Sequence, residues 1–131
     1  MAHKAYQNLD SQHVTTAIND VLQPPVSKIT TSGAVDPHTP AVYAITDAGV
    51  AALTLAAPTA GAQSAGGDDG VTINFYSTTA FAHTITATGL LQTGSAAVNA
   101  ATFAAFAGAG VTLVAYNGKW IVDNSVGVTF S

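Results

Sequence analysis

The feature that most constrains the fold is a pair of short apolar runs on either side of the dipeptide Asn117-Gly118. Residues 111–116 precede the dipeptide and residues 119–122 follow it. Asn-Gly is the preferred pair for a two-residue type I′ turn, in which both residues take positive φ angles. The pattern therefore predicts a β-hairpin over residues 111–122 with its tip at this dipeptide.

The same β pattern extends over the chain from Ala41 to Ser131. Apolar and polar residues alternate over 71–76, 82–88 and 126–130, as in strands that bury one face. Turns are predicted at 66–70 and at Asp123-Asn124-Ser125. The segments 49–57 and 100–107 are ambiguous, and we favour short strands for both, although the second could form a turn or two of helix. The spacing of these elements predicts a mainly β fold, a small antiparallel β-sandwich or barrel.

The first 40 residues differ from the rest because they hold four of the five prolines and three of the four histidines. Helical spacing over 11–22 predicts a helix that Pro24-Pro25 would end. From residue 23 to residue 40, Pro, Gly, Ser and Thr indicate extended chain with poor intramolecular pairing. We therefore divide the chain into an N-terminal arm, 1–40, partly helical and then extended, and a β-rich domain, 41–131. The start shows no apolar run typical of a signal peptide.

The scarcity of charge excludes several classes of protein. The chain has three Lys and seven Asp, no Arg, Glu or Cys, and a net charge of −4. Too few cations are present to neutralise phosphates, so we expect no nucleic-acid partner. The uncharged stretch 96–116 is mostly Ala, Thr and Gly, which favours no membrane span. A monomer normally needs a more charged surface, so we expect much of this surface to be covered by other copies of the chain or by a partner.

No pattern of chemical groups predicts an enzyme. The histidines at positions 3, 13, 38 and 83 lack the spacing of metal ligands. Asp68-Asp69 lacks the alternating carboxylates of calcium loops and is predicted to be a solvated turn. His83, on a predicted strand, is expected to be a hydrogen-bonded structural or interface residue. We therefore predict no catalytic residue, no metal ligand and no cofactor.

Two places in the chain are candidates for interaction. Tyr116 and Trp120 flank the hairpin tip, where they either stack on a sugar ring or cover the end of the sheet. The run 26–31 suits addition as a strand to a neighbour's sheet, with Val26 and Lys28 facing one way and Ser27 and Ile29 the other. The alternative is that the arm packs on its own domain. The candidate interaction residues are Val26, Lys28, Ile29, Tyr116 and Trp120.

Three stretches together carry a family resemblance: 53–61 (LTLAAPTAG), 68–91 and 101–131. They resemble small structural proteins of tailed bacteriophages of the kind assigned as head decoration (cement) proteins. The most specific part is AYNGKW (115–120), followed by GVT (127–129). A looser version of this pattern also occurs in phage tail-fibre and spike domains.

The resemblance implies a compact β-rich module, often trimeric, that binds the major capsid protein and braces the assembled head. It implies no catalytic residues. The protein would then be made in the host cytoplasm and reside on the capsid surface of the virion. Two alternatives stay open, a tail-fibre or spike module and a carbohydrate-binding β domain that uses Trp120 and Tyr116.

Overall fold

A computed structural model describes residues 25–131 of the chain. Over this range it contains ten strands and, as its one helical element, a short 3-10 turn at Gln63–Ala65. The prediction of a mainly β fold is therefore confirmed. The helix predicted over 11–22 lies outside the described residues. The strands are β1 Val26–Ile29, β2 Gly33–Val35, β3 Ala41–Ile45, β4 Ala52–Leu55, β5 Thr72–Ser77, β6 Thr84–Gln92, β7 Ala97–Phe103, β8 Gly110–Tyr116, β9 Lys119–Val126 and β10 Val128–Phe130.

The β8–β9 hairpin forms where Asn117-Gly118 predicted it. These two residues have φ angles of 50° and 76°, and the flanking pair is Tyr116 with Lys119. The turn predicted at Asp123-Asn124-Ser125 is wrong, because β9 continues through these residues. Leu113 pairs with Val122 but Thr112 pairs with Asn124, so Asp123 is the extra residue of a β-bulge. Asp, Asn and Ser are common turn residues, but here the pairing of β9 with β8 decides the conformation.

The two ambiguous segments are strands over part of their length. Residues 52–55 form β4, and 97–103 form β7, whereas 104–109 form an irregular connection to β8. Phe103 is buried in the core while Phe106 is exposed. The preference for short strands over helix is therefore confirmed for these segments.

The sheet is mixed, so the prediction of antiparallel pairing is wrong. Its strand order is β1-β3-β5-β8-β9-β6-β4-β2, with β7 paired to β6 and β10 paired to β7. The pairs β1·β3, β3·β5, β2·β4, β4·β6 and β6·β9 are parallel, and the pairs β5·β8, β8·β9, β6·β7 and β7·β10 are antiparallel. Side-chain alternation has the same period in both kinds of ladder, so the sequence pattern does not reveal strand direction.

The sheet curls because consecutive strands from β1 to β6 alternate between its two halves. β1 and β2 lie at opposite ends of the strand order, yet only residues 30–32 connect them. That connection spans about 14 Å at most. A flat sheet of eight strands would be roughly 34 Å wide at the usual strand spacing. The two ends must therefore approach each other, and the sheet forms a half-barrel.

One apolar core fills the space between the two halves of the curled sheet. Tyr43 and Phe75 stack in it with ring centroids 5.3 Å apart. Because apolar groups of both halves leave water together, the halves form one unit. The larger buried side chains are Ile45, Ile73, Phe75, Val111, Leu113 and Trp120 in one half and Leu53, Leu55, Ile85, Leu91 and Phe103 in the other.

Strands β1 and β2 come from the segment assigned to the arm. β1 pairs with β3 from Val26–Val42 to Ile29–Ile45, and β2 pairs with β4. Val35 is buried in the core. The expectation of poor intramolecular pairing is therefore wrong for residues 26–35. Without β1 and β2, the backbone groups along the edges of β3 and β4 would lack these partners.

Candidate interaction surface

The strands β1, β3, β5, β8 and β9 present a side opposite the core, which we call the outer face. On β5 the buried residues are Ile73, Phe75 and Ser77, so the alternate residues point outward. The strand register extends this assignment to the neighbouring strands. The outer face comprises Val26 and Lys28 on β1, Val42 and Ala44 on β3, Thr72, Asn74 and Tyr76 on β5, Gly110, Thr112, Val114 and Tyr116 on β8, and Lys119, Ile121, Asn124 and Val126 on β9.

The outer face carries no charge on its three central strands. Its charged residues are Lys28 on β1 and Lys119 on β9, where the bulge residue Asp123 is also exposed, and the Lys119 Nζ donates to the Gly89 carbonyl oxygen at 2.8 Å. At the centre, the Thr112 hydroxyl donates to Asn74 Oδ1 at 2.6 Å. Charged groups are costly to desolvate and are depleted from the cores of interfaces. The outer face is therefore suited to burial against another protein.

A groove of about 210 Å³ runs beside Gly110. A Cβ at this position would lie 2.6 Å from the Phe75 carbonyl oxygen, so the close approach of the two strands requires glycine. Tyr76 and Val126, the register partners of Gly110, flank the groove, and Val126 is 55% exposed. An apolar side chain of another protein can fill this space.

The structure places three of the five predicted interaction residues on the outer face. Val26 and Lys28 lie on marginal strand β1 and are exposed. Tyr116, at the end of β8, is 63% exposed. Ile29 faces the core side, where it packs half-buried against the apolar cluster. The predicted alternation of Val26 and Lys28 against Ser27 and Ile29 agrees with this register.

Trp120 is fully buried, with 0% of its surface exposed. Its indole Nε1–H donates to the Ala56 carbonyl oxygen at 2.9 Å. A buried ring offers no face to a sugar, so the stacking role considered for Trp120 is wrong. The inward position of Trp120 follows from its register with Ala115, which also faces the core. Only Tyr116 of that pair is accessible at the hairpin.

Asp68 lies in an ordered loop, so the prediction of a solvated turn is wrong for this residue. It is 7% exposed, and its Oδ2 accepts the Thr59 N–H at 2.7 Å and a hydrogen bond from His38 Nδ1 at 2.6 Å. The Thr59 backbone hydrogen bond, followed by that of His38, lowers the pKa of Asp68. The hydrogen bond to Asp68 raises the pKa of His38. The pair fixes the loop before β5.

Asp69 connects the same loop to the hairpin tip. Its Oδ1 accepts the Asn117 N–H at 2.9 Å and the Gly61 N–H at 3.3 Å. In the part of the chain that the structure describes, no group of three or more acidic or histidine side chains comes together to hold a metal ion. The two aspartates thus have a structural explanation in backbone hydrogen bonds.

His83 is fully buried and hydrogen-bonded at both ring nitrogens. Nδ1 accepts the Ala51 N–H at 3.0 Å, and Nε2 lies 3.0 Å from the Thr79 hydroxyl. The ring meets Phe103 edge-on with centroids 6.4 Å apart. Burial lowers the pKa of His83. The prediction of a hydrogen-bonded structural residue is confirmed by these contacts.

No family model matches the chain, and no curated protein matches it significantly. Among residues 25–131, no helix has the length and hydrophobicity needed to cross a membrane. The function is therefore inferred from the chain's own surface.

The centre of the outer face could not be predicted from the sequence. Alternation over 71–76 assigned Asn74 and Tyr76 to the polar side of a strand, but it did not reveal which strands flank them. The Asn74–Thr112 pair joins residues 38 positions apart. The residues next to Gly110 in the sequence do not show that glycine is required at this position, because the requirement comes from the nearby carbonyl oxygen of Phe75. These relations exist only after the strands have paired.

Proposed function

We propose that this protein is a structural protein of a bacteriophage virion, a capsid decoration protein that binds the major capsid protein as a homotrimer and stabilises the assembled head. The observation that carries the proposal is the uncharged outer face on a chain with little charge elsewhere. A protein that acts alone in water normally covers such a surface with charged side chains. The family resemblance of residues 53–131 supports the same assignment.

The outer face supports self-association in particular. In a three-fold assembly the contacts are heterologous, so the outer faces of three copies can converge on the symmetry axis, with the uncharged strands of each copy beside those of its neighbours. Neither Lys28 nor Lys119 lies on the central strands, so their ammonium groups can stay at the solvated rim. The groove beside Gly110 can accept an apolar side chain such as Val126 from the next copy. Burial of apolar surface would then drive trimer formation.

Attachment to the shell is assigned to the N-terminal part of the chain. β1 is the last strand at one end of the sheet order and pairs with β3 on one side. Its other edge can accept a strand from the capsid protein through main-chain hydrogen bonds. Residues 1–24, which lie outside the described residues, would extend this contact. The β-rich domain thus forms the trimer, while the N-terminal part binds the shell.

A lysine at the centre of the outer face tests the trimer. We expect Thr112→Lys to convert the trimer to a monomer in sedimentation velocity at micromolar concentration, since burial would desolvate the new charge. The matched control is Thr86→Lys, at an exposed threonine of β6 on the other half of the sheet, which should remain trimeric. A wild-type protein that sediments as a monomer, or a Thr112→Lys trimer, would contradict the proposal.

A truncation tests attachment. We expect a protein lacking residues 1–24, which retains β1, to stay trimeric but to co-sediment less with undecorated capsids, because only the β1 edge remains to bind the shell. The full-length chain is the control. Undiminished capsid binding by the truncated trimer would show that the arm does not attach it. Antibody labelling of virions on tails instead of heads would favour the tail-fibre or spike alternative.

A further inference from the structure

The buried His83 stands in a continuous series of hydrogen bonds that fixes its protonation state. Because Nδ1 accepts the Ala51 N–H, the proton of a neutral ring is on Nε2. Nε2–H then donates to the Thr79 hydroxyl at 3.0 Å, and that hydroxyl donates to the Asp47 carbonyl oxygen at 3.0 Å. Donors and acceptors alternate at every step, so the neutral ring is satisfied at both nitrogens.

This series joins two loops at one end of the half-barrel. One loop, residues 46–51, connects β3 to β4, and the other, residues 78–83, connects β5 to β6. The His83 carbonyl oxygen also accepts the Phe103 N–H at 2.8 Å, which connects the second loop to β7. The imidazole therefore lies where three separate parts of the chain meet.

Protonation of this imidazole would be incompatible with its surroundings. A proton on Nδ1 turns the acceptor into a donor that faces the Ala51 N–H, which is also a donor. The rings of Phe81 and Phe103 on its other sides carry no charge. Among the described residues, the charged group that acts on His83 is Asp47, whose Oδ1 accepts the Gly49 N–H at 3.1 Å. The pKa of His83 is lowered by burial, an effect larger than the opposing effect of Asp47.

We propose that His83 is an acid-sensitive latch, in which uptake of one proton at Nδ1 breaks the contact with Ala51 and releases loops 46–51 and 78–83 from each other. Because the folded state resists protonation, the unfolded state binds more protons as the pH falls below the usual histidine value of about 6.5. Stability from the neutral latch is therefore present above that pH and is lost progressively below it.

The contributions of His38, Asp36 and Asp68 to stability depend on pH in other ways, so these residues serve as internal references. The pKa of His38 is raised, so its contribution is complete below pH 6.5 and is lost as the pH rises through its folded value. The pKa values of Asp36 and Asp68 are lowered from 3.8, so their contributions fall only in more acidic solution. Loss of stability between pH 6.5 and pH 5 consequently reports on a histidine that is buried in the neutral form.

Nitrogen NMR of the wild-type protein tests the tautomer. We expect the long-range proton–nitrogen spectrum at pH 7.5 to show Nδ1 unprotonated and Nε2 protonated for the His83 ring. On acidification, this ring should titrate below the value of an unfolded histidine. A ring protonated at Nδ1 at pH 7.5, or a ring that titrates at or above 6.5, would overturn the proposal.

Urea unfolding of His83→Asn tests the effect on stability. Asparagine can present an oxygen to the Ala51 N–H but takes up no proton. Between pH 6.5 and pH 5, we expect the unfolding equilibrium constant of the wild type to rise by up to about tenfold per pH unit relative to this variant. His38→Gln is the control and should keep the wild-type acid sensitivity. Equal pH dependence of the wild type and His83→Asn would overturn the proposal, and the NMR test decides the matter if His83→Asn does not fold.

Discussion

Trp120 stabilises the protein by filling the core and by donating its indole N–H to Ala56. We expect Trp120→Ala to lower the free energy of unfolding by about 3–5 kcal/mol, from lost burial and the remaining cavity. Trp120→Phe keeps most of the packing and should cost less, although it removes the hydrogen-bond donor. Urea unfolding followed by circular dichroism measures both. An unchanged midpoint for Trp120→Ala would contradict the buried position.

Gly118 stabilises the hairpin through its backbone conformation. A Cβ at this position would come no closer than 3.9 Å to the Pro58 carbonyl oxygen, so space is available, but φ is 76°. Valine adopts such an angle only with strain, and we expect Gly118→Val to cost about 1–3 kcal/mol. Gly94→Val is the control, because Gly94 has open space without a positive φ and should change stability by less than about 0.5 kcal/mol. Equal losses in thermal unfolding would contradict the backbone explanation.

At the scale of elements, Asp69 couples the β8–β9 hairpin to the loop before β5. Its carboxylate accepts amide hydrogen bonds from Asn117 and Gly61. Asp69→Ala should raise the amide exchange rates of both residues by roughly tenfold, since hydrogen bonds to a charged group contribute about 1.5–3 kcal/mol when well formed. Hydrogen exchange read by NMR measures this change. Asp123→Ala, at the exposed bulge of β9, is the control and should leave these two amides protected.

β1 and β2 show how edge elements depend on the rest of the sheet. Each is short and pairs in parallel with one neighbour among the described strands. β1 and β2 are consecutive in the sequence but do not pair with each other, because they lie in opposite halves of the curled sheet. Their strand conformation therefore depends on the edges of β3 and β4.

At the scale of the whole molecule, the scarcity of charge determines how assembly responds to salt. The central strands of the outer face contribute no ion pair that salt could screen. We therefore expect the proposed trimer to keep its dissociation constant within about threefold between 0.05 and 1 M sodium chloride. Sedimentation equilibrium measures this constant. Dissociation at high salt would instead indicate an interface held by ion pairs.

The sequence by itself determined the features that depend on neighbouring residues. Asn117-Gly118 specified the hairpin because few residue pairs tolerate two successive positive φ angles. Alternation over 71–76 and 82–88 specified which side chains of β5 and β6 enter the core. The near absence of cations predicts that the chain has no phosphate-binding surface, whatever its fold.

The tertiary structure alone decided the features that depend on residues far apart in the chain. Parallel pairing of β1, β3 and β5 arises because the intervening strands cross to the other half, and side-chain alternation carries no information on strand direction. The inward position of Trp120, the need for glycine at 110 and the Asn74–Thr112 pair all follow from strand register. The outer face is likewise a product of register, because it joins side chains from five strands that local sequence preferences cannot bring together.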